Sequence, residues 1–215
     1  MKYSSVLISL LASRVSANSD CSTNVAKLSK MPKNCTEIRG LIHVEAEADW
    51  PPSPSLTKVA ALRVTRKITP IGRKIKAGAL GIRVSVPKVD FSSIEAKEIL
   101  FDDAHQNQEF IFDNSTPEYI ILSNSDPKFV GINYAALKKV KIENSIVKKL
   151  SFDIETLEHV IIENSSVNLA TLFPNLKNVY EMEIKNSNVS YVPAHSSETL
   201  SNSGRPQSHS TQKQK

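Results

Sequence analysis

The dipeptide Asn-Ser recurs at a nearly constant interval and constrains the fold more than any other feature of the sequence. Four of its seven copies begin at Asn124, Asn144, Asn164 and Asn186, so that the spacings between these four are 20, 20 and 22 residues. Each of these four copies directly follows a short apolar segment with the alternation of a β-strand. A repeat of this length, with one strand per repeat, is typical of a solenoid in which neighbouring coils bury one another's apolar side chains.

The same interval continues upstream and predicts eight coils. Two alternating positions of each strand are expected to point inward, and all sixteen such residues are apolar, most of them β-branched as stacked parallel strands prefer. The inward pairs are Ile42/Val44, Leu62/Val64, Ile82/Val84, Ile99/Phe101, Ile120/Leu122, Val140/Ile142, Val160/Ile162 and Met182/Ile184. We therefore predict a mainly β protein, a right-handed parallel β-solenoid of about eight coils that is similar to leucine-rich repeats.

The asparagine of each of the four periodic Asn-Ser pairs falls at the end of a predicted strand, where the chain must bend. We expect Asn124, Asn144, Asn164 and Asn186 to stack into a hydrogen-bonding ladder that satisfies backbone groups at the bend. Classical leucine-rich repeats place this asparagine one position later, which favours a related solenoid.

The first 17 residues have the pattern of a secretory signal peptide. A basic Lys2 precedes an apolar run, and Val15-Ser16-Ala17 occupies the expected cleavage position. The alternative is a buried N-terminal helix. In the oxidising compartment that secretion implies, Cys21 and Cys35 are expected to pair and to stabilise the fold by about 3 kcal/mol through loop closure.

The first coil carries a more specific motif. Cys21 opens a segment that reaches Cys35 and continues into Ile38, Gly40 and Ile42. It resembles the opening of receptor L domains, the ligand-binding modules of insulin and epidermal growth factor receptors. That family begins with a Cys, a short capping helix, a second Cys and a phrase of the form C-x-x-I-x-G-x-L-x-I.

A later segment, residues 168–184, also looks like an L-domain coil. The resemblance implies an N-terminal capping helix, a solenoid module over residues 18–192 and non-catalytic recognition of an extracellular ligand. Residues 193–215 are polar without apolar periodicity and are expected to be a disordered tail. The family's second cysteine pair is missing, so we expect a secreted single-module relative or a fragment, with the last coil capped by packing or by a partner.

Four residues of the outward-facing part of the strands form the first candidate site. Leu100, Ile121 and Ile161 are large aliphatics at positions where a solvated sheet face is usually polar, and Lys141 lies in the same row. Such a row is expected to bind an extracellular protein or peptide. The alternative is that a loop or the tail covers it.

The densest basic stretch is the second candidate site. It predicts binding of a sulfated glycan, a cell-wall or matrix component through positive potential, against the alternative of a solvated loop. We expect Arg63 and Arg83 to stack in one row about 4.8 Å apart. The residues of this stretch are Arg63, Arg66, Lys67, Arg73, Lys74, Lys76 and Arg83.

No motif for catalysis, nucleotide binding or a metal is present. The five histidines are scattered, and HExxH, GxSxG, GxGxxG and P-loop patterns do not occur. Asp102, Glu143 and Glu163 share one outward row, as carboxylates do in some β-helical polysaccharide hydrolases, which leaves an enzyme as a third hypothesis. No cofactor, nucleic-acid partner or membrane span is expected.

Four N-glycosylation sequons support the expectation of a secreted glycoprotein. They begin at Asn34, Asn114, Asn164 and Asn188. Because a glycan on the ladder residue Asn164 is expected to disrupt the bend, we favour Asn114 and Asn188 as the occupied sites.

Overall fold

The computed structural model describes residues 35–51, 55–70, 72 and 74–190. The predicted signal peptide, the capping helix, Cys21 and the predicted tail lie outside the described residues. Cys35 is fully buried at the start of the first coil. The disulfide therefore stays a prediction.

The described chain is mainly β. One short helix, α1 (Leu169–Leu172), and a 3₁₀ turn at Tyr134–Ala136 interrupt a succession of strands. In chain order the strands are β1 (Glu37–Val44), β2 (Ala48–Trp50), β3 (Lys58–Val64), β4 (Ile68–Pro70), β5 (Ile75–Ile82), β6 (Lys88–Asp90), β7 (Ile94–Asp102), β8 (Glu109–Ser115), β9 (Tyr119–Ser123), β10 (Lys128–Ile132), β11 (Lys139–Glu143), β12 (Ile146–Val147), β13 (Thr156–Glu163), β14 (Ser166–Asn168), β15 (Asn178–Lys185) and β16 (Asn188–Ser190).

The strands form a parallel β-solenoid of about seven turns, which confirms the predicted fold class. The eight odd-numbered strands make one sheet in the order β1-β3-β5-β7-β9-β11-β13-β15, and every neighbouring pair in it is parallel. The even-numbered strands make the smaller sheets β2-β4, β10-β8-β6 and β12-β14-β16 on other sides of the coil. Each coil therefore contributes one long strand to a common sheet.

The core follows the predicted alternation. All of the sixteen predicted inward residues are buried except Ile184, which is half-buried on the last strand. Aromatic side chains fill the space behind the main sheet. The rings of Phe101 and Phe129 have centroids 4.6 Å apart, and those of Phe152 and Phe173 stack at 5.5 Å. Neighbouring coils thus share one continuous apolar interior.

The register of the third coil differs from the prediction. Leu80 lies opposite Leu62, and Ile82 lies opposite Val64. The inward pair on this strand is therefore Leu80/Ile82, two residues earlier than predicted, because this coil is shorter than the interval of twenty that the sequence interpretation assumed. The predicted stacking of Arg63 on Arg83 is wrong for the same reason, since Gly81 is the residue opposite Arg63.

The corner after each strand is built differently from the predicted asparagine ladder. Asn124, Asn144, Asn164 and Asn186 have exposed side chains and positive φ angles of 48 to 52°. Asparagine tolerates this left-handed conformation better than most residues, because its short polar side chain makes local contacts. Asparagine is therefore the residue that turns the backbone. Its side chain does not form a buried ladder.

The buried ladder consists of the serines that follow. The backbone N–H of Ser125 donates to Ser145 Oγ at 2.9 Å, and the N–H of Ser145 donates to Ser165 Oγ at 3.0 Å. Ser187 continues the series, because its Oγ accepts from the N–H of Ser165 at 3.1 Å. Each hydroxyl also donates within its own coil, as Ser145 Oγ does to the carbonyl of Glu143 at 2.8 Å.

We expect Ser145→Ala to lower the free energy of unfolding by about 1 to 3 kcal/mol, because the buried N–H of Ser125 loses its acceptor. Ser151→Ala, at an exposed position outside the ladder, is the matched control and is expected to change it by less than about 0.5 kcal/mol. Urea unfolding followed by circular dichroism measures both. Equal stability of the two variants would contradict a stabilising role of the ladder.

Candidate functional site

A groove of about 770 Å³ lies at the carboxyl ends of the first four strands of the main sheet. Because β1, β3, β5 and β7 are parallel, their ends meet at one edge, and the turns that follow them form the groove walls. The groove is lined by His43, Glu45, Arg63, Thr65, Arg66, Arg83, Val84, Ser85, Pro87, Asp103, His105, Asn107 and Gln108.

Three arginines bring positive charge to the groove. Arg63 is half-buried near the end of β3, whereas Arg66 and Arg83 are exposed in the turns after β3 and β5. Within the described part of the chain, Arg83 forms an ion pair with Asp102 at 3.8 Å, and Arg63 and Arg66 form none. Two guanidinium groups are therefore available to an external anion.

The two acidic residues of the lining lie against histidines. The Nδ1 atom of His43 is 3.1 Å from Oε1 of Glu45, and Nε2 of His105 is 4.0 Å from Oδ1 of Asp103. Each of these carboxylates therefore has a histidine partner within the groove. With both histidines neutral, the three arginines still leave the lining with a net positive charge.

Asp102 links the groove to the sheet face. It is half-buried, and burial raises the pKa of its carboxyl, whereas the guanidinium groups of Arg83 and Arg63 act in the opposite direction. The positively charged groups that act on this carboxylate therefore come from two adjacent coils.

The far wall of the groove is fixed by a buried glutamine. Gln108 donates from Nε2 to the carbonyl oxygens of Val84 at 2.5 Å and Val86 at 3.2 Å. Its Oε1 accepts from the backbone N–H of His105 at 2.7 Å. The turn after β7 is therefore tied to the segment after β5 by hydrogen bonds of the protein itself.

The basic stretch predicted from sequence divides between several surfaces. Arg63, Arg66 and Arg83 line the groove, and Lys67 is exposed in the turn after β3. The others are placed as follows: Lys74 pairs with Asp113 at 3.0 Å, Lys76 lies in a smaller depression at the amino ends of the strands, and Arg73 is outside the described residues.

Sequence reasoning missed His43, Thr65, His105 and Asn107 as members of the same site. The signal that locates them is their position, because each lies at, or within five residues of, the end of a main-sheet strand. The turns that follow parallel strands meet at one edge of the sheet, so the site is made of residues from several coils. The residue types of a single coil therefore do not reveal it.

The predicted aliphatic row exists on the sheet face. Leu100, Ile121, Lys141 and Ile161 lie opposite one another on β7, β9, β11 and β13. The row is less open than predicted, since Ile121 is only 5% exposed and Leu100 and Ile161 are half-buried. Binding of a partner by this row stays a prediction.

Ion pairs neutralise the sheet face beside this row. Nζ of Lys141 is 2.7 Å from Glu143 and 3.3 Å from Glu163, and Lys185 pairs with Glu163 at 3.6 Å and with Glu183. Burial lowers the pKa of Lys141, but its two carboxylate neighbours outweigh that effect and raise it.

The carboxylates considered for hydrolysis are all engaged in such pairs. Glu143 and Glu163 contact Lys141, and Asp102 contacts Arg83. A glycosidase needs one carboxylic acid that gives up its proton and one carboxylate free to act as base or nucleophile. The geometry therefore offers less support to an enzyme than the sequence pattern did, and the enzyme hypothesis stays untested.

Two of the four sequon asparagines, Asn164 and Asn188, have exposed side chains. Asn114 is a residue of β8, and Asn34 is outside the described residues. The reason given for disfavouring Asn164 does not hold, because the bend there depends on the backbone and on Ser165, with the asparagine side chain in solvent. Glycosylation at the four sites stays a prediction.

Comparison with known proteins found no match to a family model, to a curated protein or to a solved structure. The resemblance to receptor L domains therefore stays a hypothesis. In the described ranges, no group of three potential metal ligands is found. None of the helices described is long and apolar enough to cross a membrane.

We expect Ile121→Asp to lower the free energy of unfolding by at least about 2 kcal/mol, because a carboxylate replaces a buried aliphatic side chain. Ile146→Asp is the matched control at a position 65% exposed and is expected to cost less than about 0.5 kcal/mol. Urea unfolding of both variants checks this. An unchanged stability of Ile121→Asp would contradict the burial of this side chain in the structure.

Proposed function

We propose that this protein is a secreted, non-catalytic recognition module that binds an anionic ligand in the groove at the strand ends. The observation that carries the proposal is the convergence of Arg63, Arg66 and Arg83 on one preformed groove, with the first two lacking an ion-pair partner among the described residues. Secretion rests on the signal-peptide pattern and the sequons.

Guanidinium groups suit this role physically. Each presents several N–H donors in a planar fork that matches the oxygens of a carboxylate or sulfate, and it stays charged at all physiological pH values. A concave surface also concentrates positive potential, which increases the rate at which anions associate. Because the Gln108 bonds hold the wall in place, little ordering of the protein accompanies binding.

A second candidate function is recognition of an extracellular protein or peptide through the row of Leu100, Ile121, Lys141 and Ile161. The register of these residues and the partial exposure of Leu100 and Ile161 favour it. The two functions differ in salt dependence, since binding through an apolar row survives moderate salt and binding through arginines weakens with it.

We expect Arg63→Gln/Arg66→Gln to weaken the binding of polyanions at least tenfold, because two charge-assisted contacts are lost. Dextran sulfate and poly-glutamate are the probes, and fluorescence anisotropy of the full mature chain at low and physiological salt is the measurement. The matched control is Lys148→Gln/Lys149→Gln, which removes the same charge at exposed positions outside the groove and is expected to leave affinity within about twofold.

Two results would contradict the proposal. One is that wild-type protein binds neither probe at low salt. The other is that the two double variants lose affinity equally, because net charge alone would then explain the binding. Circular dichroism spectra of all variants verify that they are folded.

A further inference from the structure

The uncharged polar side chains of the groove, together with its arginines, indicate which kind of anion the groove fits. Ser85 and Asn107 are exposed in the walls, and neither has a hydrogen-bond partner within the described chain. Their hydroxyl and amide groups both donate and accept hydrogen bonds. The groove therefore offers neutral polar groups, in addition to positive charge, to whatever occupies it.

Backbone N–H groups at the ends of β3, β5 and β7, around the groove, are already paired between coils. The N–H of Thr65 donates to the carbonyl of Val44 at 3.1 Å, and that of Arg83 donates to Val64 at 2.9 Å. At the next coil, Asp103 donates to Ser123 at 3.0 Å. An extended peptide commonly binds by pairing with an exposed strand edge, and the N–H groups at these three strand ends are not free to pair in that way.

The described lining of the groove offers few of the apolar anchors on which peptide binding usually depends. Among the described residues of the lining, Val84 and Pro87 are the only aliphatic ones, and the two histidines are the only aromatic rings. Tight peptide recognition depends on buried aromatic or large aliphatic anchors. The lining fits a ligand that combines anionic groups with many hydroxyls and few apolar groups.

The dimensions agree with a chain-like ligand. The groove crosses the ends of four strands, which neighbouring coils space about 4.8 Å apart, so that it extends for roughly 14 Å across the sheet. Arg63 and Arg66 belong to one coil and Arg83 to the next. Cations on successive coils suit a polymer with anionic groups at intervals along its length.

We infer that the groove binds a sulfated glycan chain, with the arginines contacting sulfate groups and Ser85 and Asn107 contacting sugar hydroxyls. This inference rests on the proposed function, since it names the ligand class of the same groove. Nothing in the groove requires a metal or a covalent step.

The test compares two polyanions at equal ionic strength. The probes are a heparin-derived hexasaccharide and hexaglutamate, and the measurement is the Kd for the full mature chain by isothermal titration calorimetry. We expect the sulfated hexasaccharide to bind at least tenfold more tightly. We also expect Ser85→Ala/Asn107→Ala to weaken hexasaccharide binding about fivefold or more and to leave hexaglutamate binding within twofold, because only the sugar uses the neutral groups.

Matched variants separate the groove from other polar surfaces. Ser151→Ala/Asn178→Ala changes the same residue types at exposed positions outside the groove and is expected to leave both affinities unchanged. Hexaglutamate binding as tightly as the hexasaccharide, or equal losses of both ligands in Ser85→Ala/Asn107→Ala, would overturn the glycan inference and leave the anion-binding function intact. Failure of both probes to bind would overturn the two proposals together.

Discussion

The stacking of one coil on the next is the interaction on which the rest of the structure depends. Each inner strand of the main sheet obtains its backbone hydrogen bonds from the coils on either side, so a single coil has little stability alone. The corners are the difficult points, because polar backbone groups there are turned towards an apolar interior. The serine ladder resolves this, since each hydroxyl donates within its own coil and accepts from the adjacent coil. The hydrogen bonds at the corners and those of the main sheet therefore impose the same spacing between coils.

Stacking also decides the charge of the surface. Residues at equivalent positions in successive coils lie side by side, so their charges either cancel or accumulate. In the later coils Lys141 and Lys185 alternate with glutamates and the face is neutralised by ion pairs. In the early coils Arg66 follows β3 and Arg83 follows β5, and Asp102 forms an ion pair with Arg83 only. A nearly uniform scaffold therefore carries a positive groove at one end and a balanced surface at the other.

The asparagine and serine of the repeat show what a sequence pattern leaves open. Both residues are polar, both recur with the same period, and either suits a corner. Asn144 occupies the left-handed conformation, which reverses the direction of the chain, and the next residue, Ser145, consequently points inward. Sequence alone predicted a ladder at this corner but assigned it to the wrong neighbour. The assignment depends on a single backbone conformation that the periodicity does not specify.

Local chemistry in the sequence was sufficient to predict the solenoid, the strands of its main sheet and the side chains that these strands turn inward, because alternation of apolar and polar residues determines which face of a strand is buried. It was also sufficient to single out Arg63, Arg66 and Arg83. The even-numbered strands and the aromatic side chains that segments outside the main sheet contribute to the core were not predicted. Which residues of different coils meet was decided only in the tertiary structure, since it depends on the length of each connecting turn. A coil two residues short placed Gly81 beside Arg63, and the turns of four coils together formed the groove. Contacts between residues distant in sequence follow from closure of the whole coil, which no single segment encodes.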